Sequence, residues 1–226
     1  MIVSVHQPQY MPWLGYFDKI DRSDLFVFLD TVQYKKNEFQ NRNRIKNDKG
    51  WQWLTVPVGY RFPQKIDEVT VNENMPWRHK HRQALITNYG KAPYFEACFS
   101  DIEGILENSW SQLTELNVKT VEAILNQLGI KTSRKHAGEW QLDQNPTGRL
   151  VDICLKSGAD TYLSGAGGQN YLDLDQFETE GISVIFQDFE HPQYTQQFGD
   201  FEPFMSTLDL LFNCGTESLN VIRKGR

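Results

Sequence analysis

Residues 2 to 30 constrain this chain more tightly than any other stretch. IVSVH (2–6) is a short apolar run. WLGYFDKIDR (13–22) places Leu14, Phe17 and Ile20 at helical spacing, and LFVFLD (25–30) is a second apolar run that ends in Asp30. Strand, helix, strand in so short a span is the pattern of a βαβ unit, which requires parallel strands. With a right-handed crossover, the loops after residues 6 and 30 lie side by side at the C-terminal edge of the sheet, where α/β proteins build ligand sites.

The remaining sequence extends that pattern. WQWLTVPV (51–58) alternates and predicts a strand. Residues 76–128 read as mostly helical. SDIEGIL and ELNVKTVEAILNQLGI carry apolar positions three and four apart, and Gly129 is placed to cap the second. A strand is expected within 131–141 and an amphipathic helix over 146–158, with Pro146 near its start. Strands follow over 160–165 and 181–189, then a helix over 206–215. No module-sized repeat or low-complexity linker interrupts the chain. The expectation is one α/β domain over residues 1–226: a mostly parallel sheet with flanking helices and a helical insert at about 76–128.

Composition narrows the function classes. The chain has 226 residues, enough to bury a core without covalent staples. Its net charge of −6 argues against a general nucleic-acid coat. No apolar run approaches a membrane span, and MIVSVHQPQ lacks the features of a signal peptide. Cys98, Cys154 and Cys214 are odd in number and widely spaced, which suits reduced thiols and a cytoplasmic location.

Three segments carry polar chemistry. In the first loop, His6, Gln7, Tyr10 and Trp13 are interleaved with Pro8 and Pro12, which fix φ and stiffen the segment. His6, at a strand end, suits a donor to phosphate or a general acid or base. In the second, LDTVQYKKNEFQNRNRIK (29–46), Asp30 ends a strand, Gln33, Asn41 and Asn43 offer amides, and Arg42 alternates with them as an anion clamp. A solvated basic loop is the plainer alternative. The third, YLSGAGGQNYLD (162–173), sets Ser164 and Gly165 before a glycine-rich turn that lets backbone N–H groups approach an anion. His81 and His191 are further candidates, whereas His136 reads as a surface residue. His79 and His81 are two apart with no third ligand nearby, so no metal site is expected. Nothing identifies a cofactor, and no motif for nucleophilic catalysis appears.

HQPQYMPWLGYFDKI, FVFLDTVQY, FQNRNRIK and WLTVPV, in this order and spacing, resemble the WbqC-like protein family. YLSGAGGQNYLD, EHPQY and FNCG extend the resemblance over essentially the whole chain. It implies a bacterial cytosolic protein linked to cell-surface polysaccharide (O-antigen) or glycolipid synthesis. Carried onto this sequence, it marks His6, Gln7, Tyr10, Trp13, Asp30, Gln33, Asn41, Arg42, Asn43, His81, Ser164, Gly165 and His191. The leading expectation is a transferase that moves an acyl, aminoacyl or nucleotidyl group from a small-molecule donor to an amino sugar or similar polar acceptor. His6, Asp30 and His81 are its candidate catalytic groups and the other ten bind substrate. A non-catalytic binder of a nucleotide-sugar or glycan intermediate, or an assembly scaffold, is the alternative.

Overall fold

A computed structural model describes residues 1–226. The chain runs β1 (Ile2–His6), α1 (Leu14–Asp21), β2 (Leu25–Phe28), β3 (Arg42–Asn47), β4 (Gly50–Thr55), β5 (Val58–Gly59) and β6 (Thr70–Val71). Helices α2 (Trp77–Tyr89), α3 (Phe95–Glu107) and α4 (Leu113–Leu128) follow. The last part is β7 (Ser133–His136), α5 (Pro146–Ser157), β8 (Thr161–Ser164), α6 (Leu174–Thr179), β9 (Ser183–Phe186), α7 (Thr207–Cys214) and α8 (Ser218–Arg223).

Five strands form one parallel sheet in the order β7-β2-β1-β8-β9. The period-two alternation of the strands divides the core. Val3, Val5, Leu25, Val27 and Tyr162 pack with Leu150, Val151 and Ile153 of α5 and Phe177 of α6. Phe26 and Phe28 point the other way, onto α1, the helices of the insert and α7. Helices therefore cover both faces, which is why the central strands are apolar at nearly every position. Phe17 of α1 is fully buried in this layer. Truncating such a ring to Ala costs roughly 3–5 kcal/mol.

Local signals set the helix ends. Asn145 caps α5, its side chain accepting from the Thr147 and Gly148 amides, and Pro146 fills the first turn. Gly129 and Gly158 end α4 and α5 with φ of 72° each, a left-handed conformation that glycine adopts without steric cost.

The segment 31–50 departs from a plain polar loop. Its second half is β3, paired antiparallel with β4 outside the main sheet. Arg42 and Arg44 face outward while Asn43 and Ile45 are buried, so the inward face alternates an amide with an apolar residue and conceals the strand. The strand expected over 51–58 stops at Thr55, and that expected over 131–141 shrinks to Ser133–His136 before a 3₁₀ turn. No helix is long and apolar enough to cross a membrane.

Candidate functional site

The order of the parallel strands reverses between β1 and β8. Adjacent chains leave that point in opposite directions and open a crevice beyond the strand ends. A cavity of about 590 Å³ lies there. His6 and Gln7 enter it from the end of β1, Lys19 from α1, Gln33 and Lys35 from the loop after β2, Arg149 from α5, and Gly165 and Gly167 from the turn after β8. Leu29 N–H donates to the His6 carbonyl at 2.8 Å, which joins the first two loops. The walls carry lysine and arginine but no aspartate or glutamate, although acidic residues outnumber basic ones, 29 to 23, over the whole chain.

A second cavity of about 240 Å³ adjoins the first and shares His6, Lys19, Gly165 and Gly167 with it. Its other walls include Trp13, Tyr16, Phe189 and the Gln187 amide. Gly15 makes room for the Trp13 indole: a Cβ at residue 15 would sit 2.3 Å from the ring. Gln187 donates to the Gly15 carbonyl and to Asp18, each at 2.8 Å, and fixes this wall.

His6 and Lys19 stand where the cavities meet. The Lys19 ammonium donates to the Val5 carbonyl at 2.9 Å and forms no ion pair. Burial pushes its pKa down to about 7. His6 Nδ1 lies 3.0 Å from the Gln7 carbonyl. A carbonyl only accepts, so Nδ1 carries the proton and Nε2 keeps its lone pair. Burial, and after it the charge of Lys19, lower the His6 pKa to about 3, outweighing the hydrogen bond to Gln7. His6 is therefore a neutral imidazole at neutral pH, oriented by its edge-on contact with Tyr16 at 4.9 Å.

The first loop is held by groups that the sequence suggests as ligands. Asn43 donates to the Met11 carbonyl at 2.8 Å and Asn41 to the Val56 carbonyl at 2.9 Å. Met11 has a φ of 45°, a strained value for a non-glycine residue, and its N–H donates to Thr120 Oγ1 at 3.3 Å. Gln40 donates to Gln7 Oε1 at 2.7 Å. The fully buried Tyr10 hydroxyl meets His81 Nδ1 at 3.0 Å, while His81 Nε2 meets the Thr55 carbonyl at 3.2 Å. Nε2 must donate to that carbonyl, so Nδ1 accepts from Tyr10. Burial lowers the His81 pKa to about 4.

The structure thus brings His6, Gln7, Gln33, Gly165 and Trp13 around the paired cavities. Ser164 lies one residue before the turn and donates to the Gly165 carbonyl at 3.1 Å. His191 stacks on Trp13 with ring centroids 6.4 Å apart, behind the aromatic wall. Tyr10, Asn43 and His81 hold the loop from beneath, and Asn41 ties the start of β3 to Val56. Arg42 does not line either cavity; its guanidinium lies over Trp53, 4.1 Å from the ring centroid, and donates to the Asn37 carbonyl. Outward alternation on β3 carries it away, and Lys19, Lys35 and Arg149 supply the cations instead. Asp30 is engaged elsewhere, with His136 Nδ1 at 2.7 Å from its Oδ2. His136 is therefore an ion-pairing residue rather than a free surface group, and its hydrogen bond to Asp30 raises its pKa against the opposing effect of burial.

Sequence reasoning passes over Lys19. Its neighbours at helical spacing suggest a solvent-facing charge, but Leu14 through Ile20 are all buried because α1 is covered on more than one side. Arg149 is passed over too: it is half-buried near the N-terminal end of α5, its guanidinium donating to the Asp143 and Gln144 carbonyls at 3.1 and 3.0 Å at the rim of the crevice. The signal for both is topological: a cation near the open end of a strand-order reversal.

The model of the WbqC-like protein family matches residues 7–221. A Mycobacterium tuberculosis protein, the uncharacterised Rv1507c, is 39% identical over 225 residues, covering 98% of this chain and 97% of its own length. No solved structure matches the chain. The family match takes in the first loop, the β3–β4 hairpin, the insert and the glycine turn, and on this ground the chain belongs to the WbqC-like protein family.

Proposed function

We propose that the paired cavities form the two-substrate site of a transferase that moves an acyl, aminoacyl or nucleotidyl group to an amino sugar or similar polar acceptor. The setting would be the synthesis of bacterial cell-surface polysaccharide or glycolipid. One observation carries the reading: a cationic cavity free of carboxylates and an aromatic cavity share a wall formed by His6 and Lys19. The larger cavity suits the anionic part of a donor. Lys35 and Arg149 attract it, and the glycine turn lets it approach the backbone closely. The smaller cavity suits a sugar ring, with Trp13 and Phe189 against its apolar face and Gln187 for its hydroxyls. His6 Nε2, left with a lone pair, accepts a hydrogen bond from the acceptor amine or hydroxyl and aims it at the donor. The rate gain of such a site comes chiefly from holding two reactants in register.

A thermal-shift screen of nucleotides, nucleotide sugars and acyl phosphates tests the reading. A donor at about a hundred times its dissociation constant stabilises the fold by roughly 2.7 kcal/mol, and Arg149→Ala should remove that gain. A panel that leaves the melting temperature unchanged contradicts it.

A further inference from the structure

Lys19 is a buried charged group without a counter-ion, on the wall that the two cavities share. It is 3% exposed, and the Val5 carbonyl at 2.9 Å is its one hydrogen-bond partner. An ammonium has three donors. Lys46 is likewise buried on a single carbonyl, that of Asp200, but it lines neither cavity, and the buried carboxylates are better matched. Asp18 meets Arg226 at 2.7 Å and Gln187 at 2.8 Å. Asp209 accepts from Tyr89, Tyr194 and Gln196, each at 2.8 Å. A buried cation without a counter-ion costs several kcal/mol in the folded state, and a structural role does not explain its place on the shared wall of two cavities. A methionine there would fill the same volume at no such cost.

We infer that the Lys19 amine is a nucleophile that forms an imine with a small oxo compound carrying a phosphate or carboxylate. The inference rests on the larger cavity being an anion site and adds the chemical class of a ligand that it takes. Three features of the geometry support it. Lys19 lines both cavities, and its Nζ lies 3.9 Å from where a Cβ on Gly165, another shared wall residue, would sit. Arg149 and Lys35 line the larger cavity and attract the anionic end of such a molecule. His6, on the same shared wall, has an unclaimed Nε2 lone pair. The lowered pKa of Lys19 fits this reading, because a neutral amine is the reactive form.

The step balances without a co-reactant. The Lys19 nitrogen lone pair attacks the carbonyl carbon, the carbonyl π pair moves to oxygen, and a proton passes from nitrogen to that oxygen by way of His6 Nε2. The resulting carbinolamine loses hydroxide as the nitrogen lone pair forms the C=N bond. The iminium N–H proton passes to the leaving hydroxide by way of His6 Nε2, so one water departs and one imine remains. A lysine of ordinary pKa is deprotonated to only about one part in a thousand near pH 7.5, which gives Lys19 a large advantage over surface lysines.

The full-length protein, incubated with pyridoxal 5′-phosphate or pyruvate and reduced with cyanoborohydride, reports the site by peptide mass mapping. The expected adduct is on Lys19, at probe concentrations that leave exposed lysines such as Lys91 and Lys156 unmodified. Pyridoxal, which lacks the phosphate, should label Lys19 at least tenfold less, a loss of about 1.4 kcal/mol. Lys19→Arg should abolish the adduct while inorganic pyrophosphate still stabilises the fold. Adducts spread over surface lysines with Lys19 unmodified overturn the imine. If pyrophosphate stabilises the wild type under those conditions, the donor-site reading stands without the imine; if it does not, both fall. The wild-type map alone decides for or against the imine, whether or not a variant folds.

Discussion

Lys19 Nζ lies 2.9 Å from the carbonyl oxygen of Val5, and that contact sets the ammonium against the end of the central strand at the point where strand order reverses. Burial depresses its pKa to about 7. An unfolded lysine titrates near 10.4. Between these values the unfolded chain binds more protons than the folded one, so stability rises with pH. Lys19→Met removes this contribution. Urea titrations at pH 7 and pH 9 should show the wild type gaining on the variant at the higher pH, by an amount on the order of a few kcal/mol at most. Equal gains in both proteins would show that the amine is solvated.

The histidines separate by environment. Burial holds His6 and His81 down, to about 3 and about 4 respectively, whereas Asp30 holds His136 up. For His6 and His81, stability is present above the unfolded value near 6.5 and is lost as pH falls toward the folded pKa. For His136 the sign is opposite: its contribution is complete below the unfolded value and is lost as pH rises through the folded one. Histidine NMR should show His136 titrating above pH 6.5 and His6 and His81 silent between pH 5 and 8. In Asp30→Asn, His136 should move downward. A normal titration of His6 would mean that water fills the space around it.

The buried amides of the hairpin act on stability. Asn43 donates to Met11 and Tyr10 carbonyls and accepts from the Arg44 amide at 2.8 Å. Asn43→Ala leaves these groups unpaired and should cost about 1–3 kcal/mol in urea unfolding. Arg42→Ala loses one cation–π contact with Trp53, worth about 0.5–1 kcal/mol at an exposed site. It should leave ligand affinity in the paired cavities unchanged. A large affinity loss in Arg42→Ala would put the anion site on the hairpin instead.

The two cavities should fail separately. Gly15→Ala sets a methyl group 2.3 Å from the Trp13 ring and forces the indole to move. Calorimetry should show weaker binding of an amino-sugar acceptor with pyrophosphate affinity kept. Arg149→Ala should do the reverse. Parallel losses in both variants would indicate one undivided site.

Much of this architecture is legible in the first thirty residues and in the periodicities that follow. The short apolar runs of β1 and β2, the Leu14–Phe17–Ile20 stripe and the glycine and proline punctuation around α4 and α5 specify parallel strands and flanking helices. The site is legible only in part. His6, Gln7, Gln33, Trp13 and Gly165 adjoin strand ends and are found from connectivity. Arg42 and His81 read as ligands because a polar group in a loop or on a helix gives no sign of which partner it will meet. Arg42 meets Trp53 and His81 meets Tyr10, both distant in sequence or on another element. Lys19 escapes notice for the converse reason: local pattern cannot show that a charged residue on a short helix is covered by tertiary packing.

The most direct test is a crystal structure of the protein soaked with pyrophosphate. The expected density lies between Arg149, Lys35 and the Gly165–Gly167 turn, beside Lys19 and His6. Pyrophosphate bound on the Arg42–Trp53 face, or nowhere on the chain at a concentration that saturates the thermal shift, would contradict an anion site at the strand-order reversal.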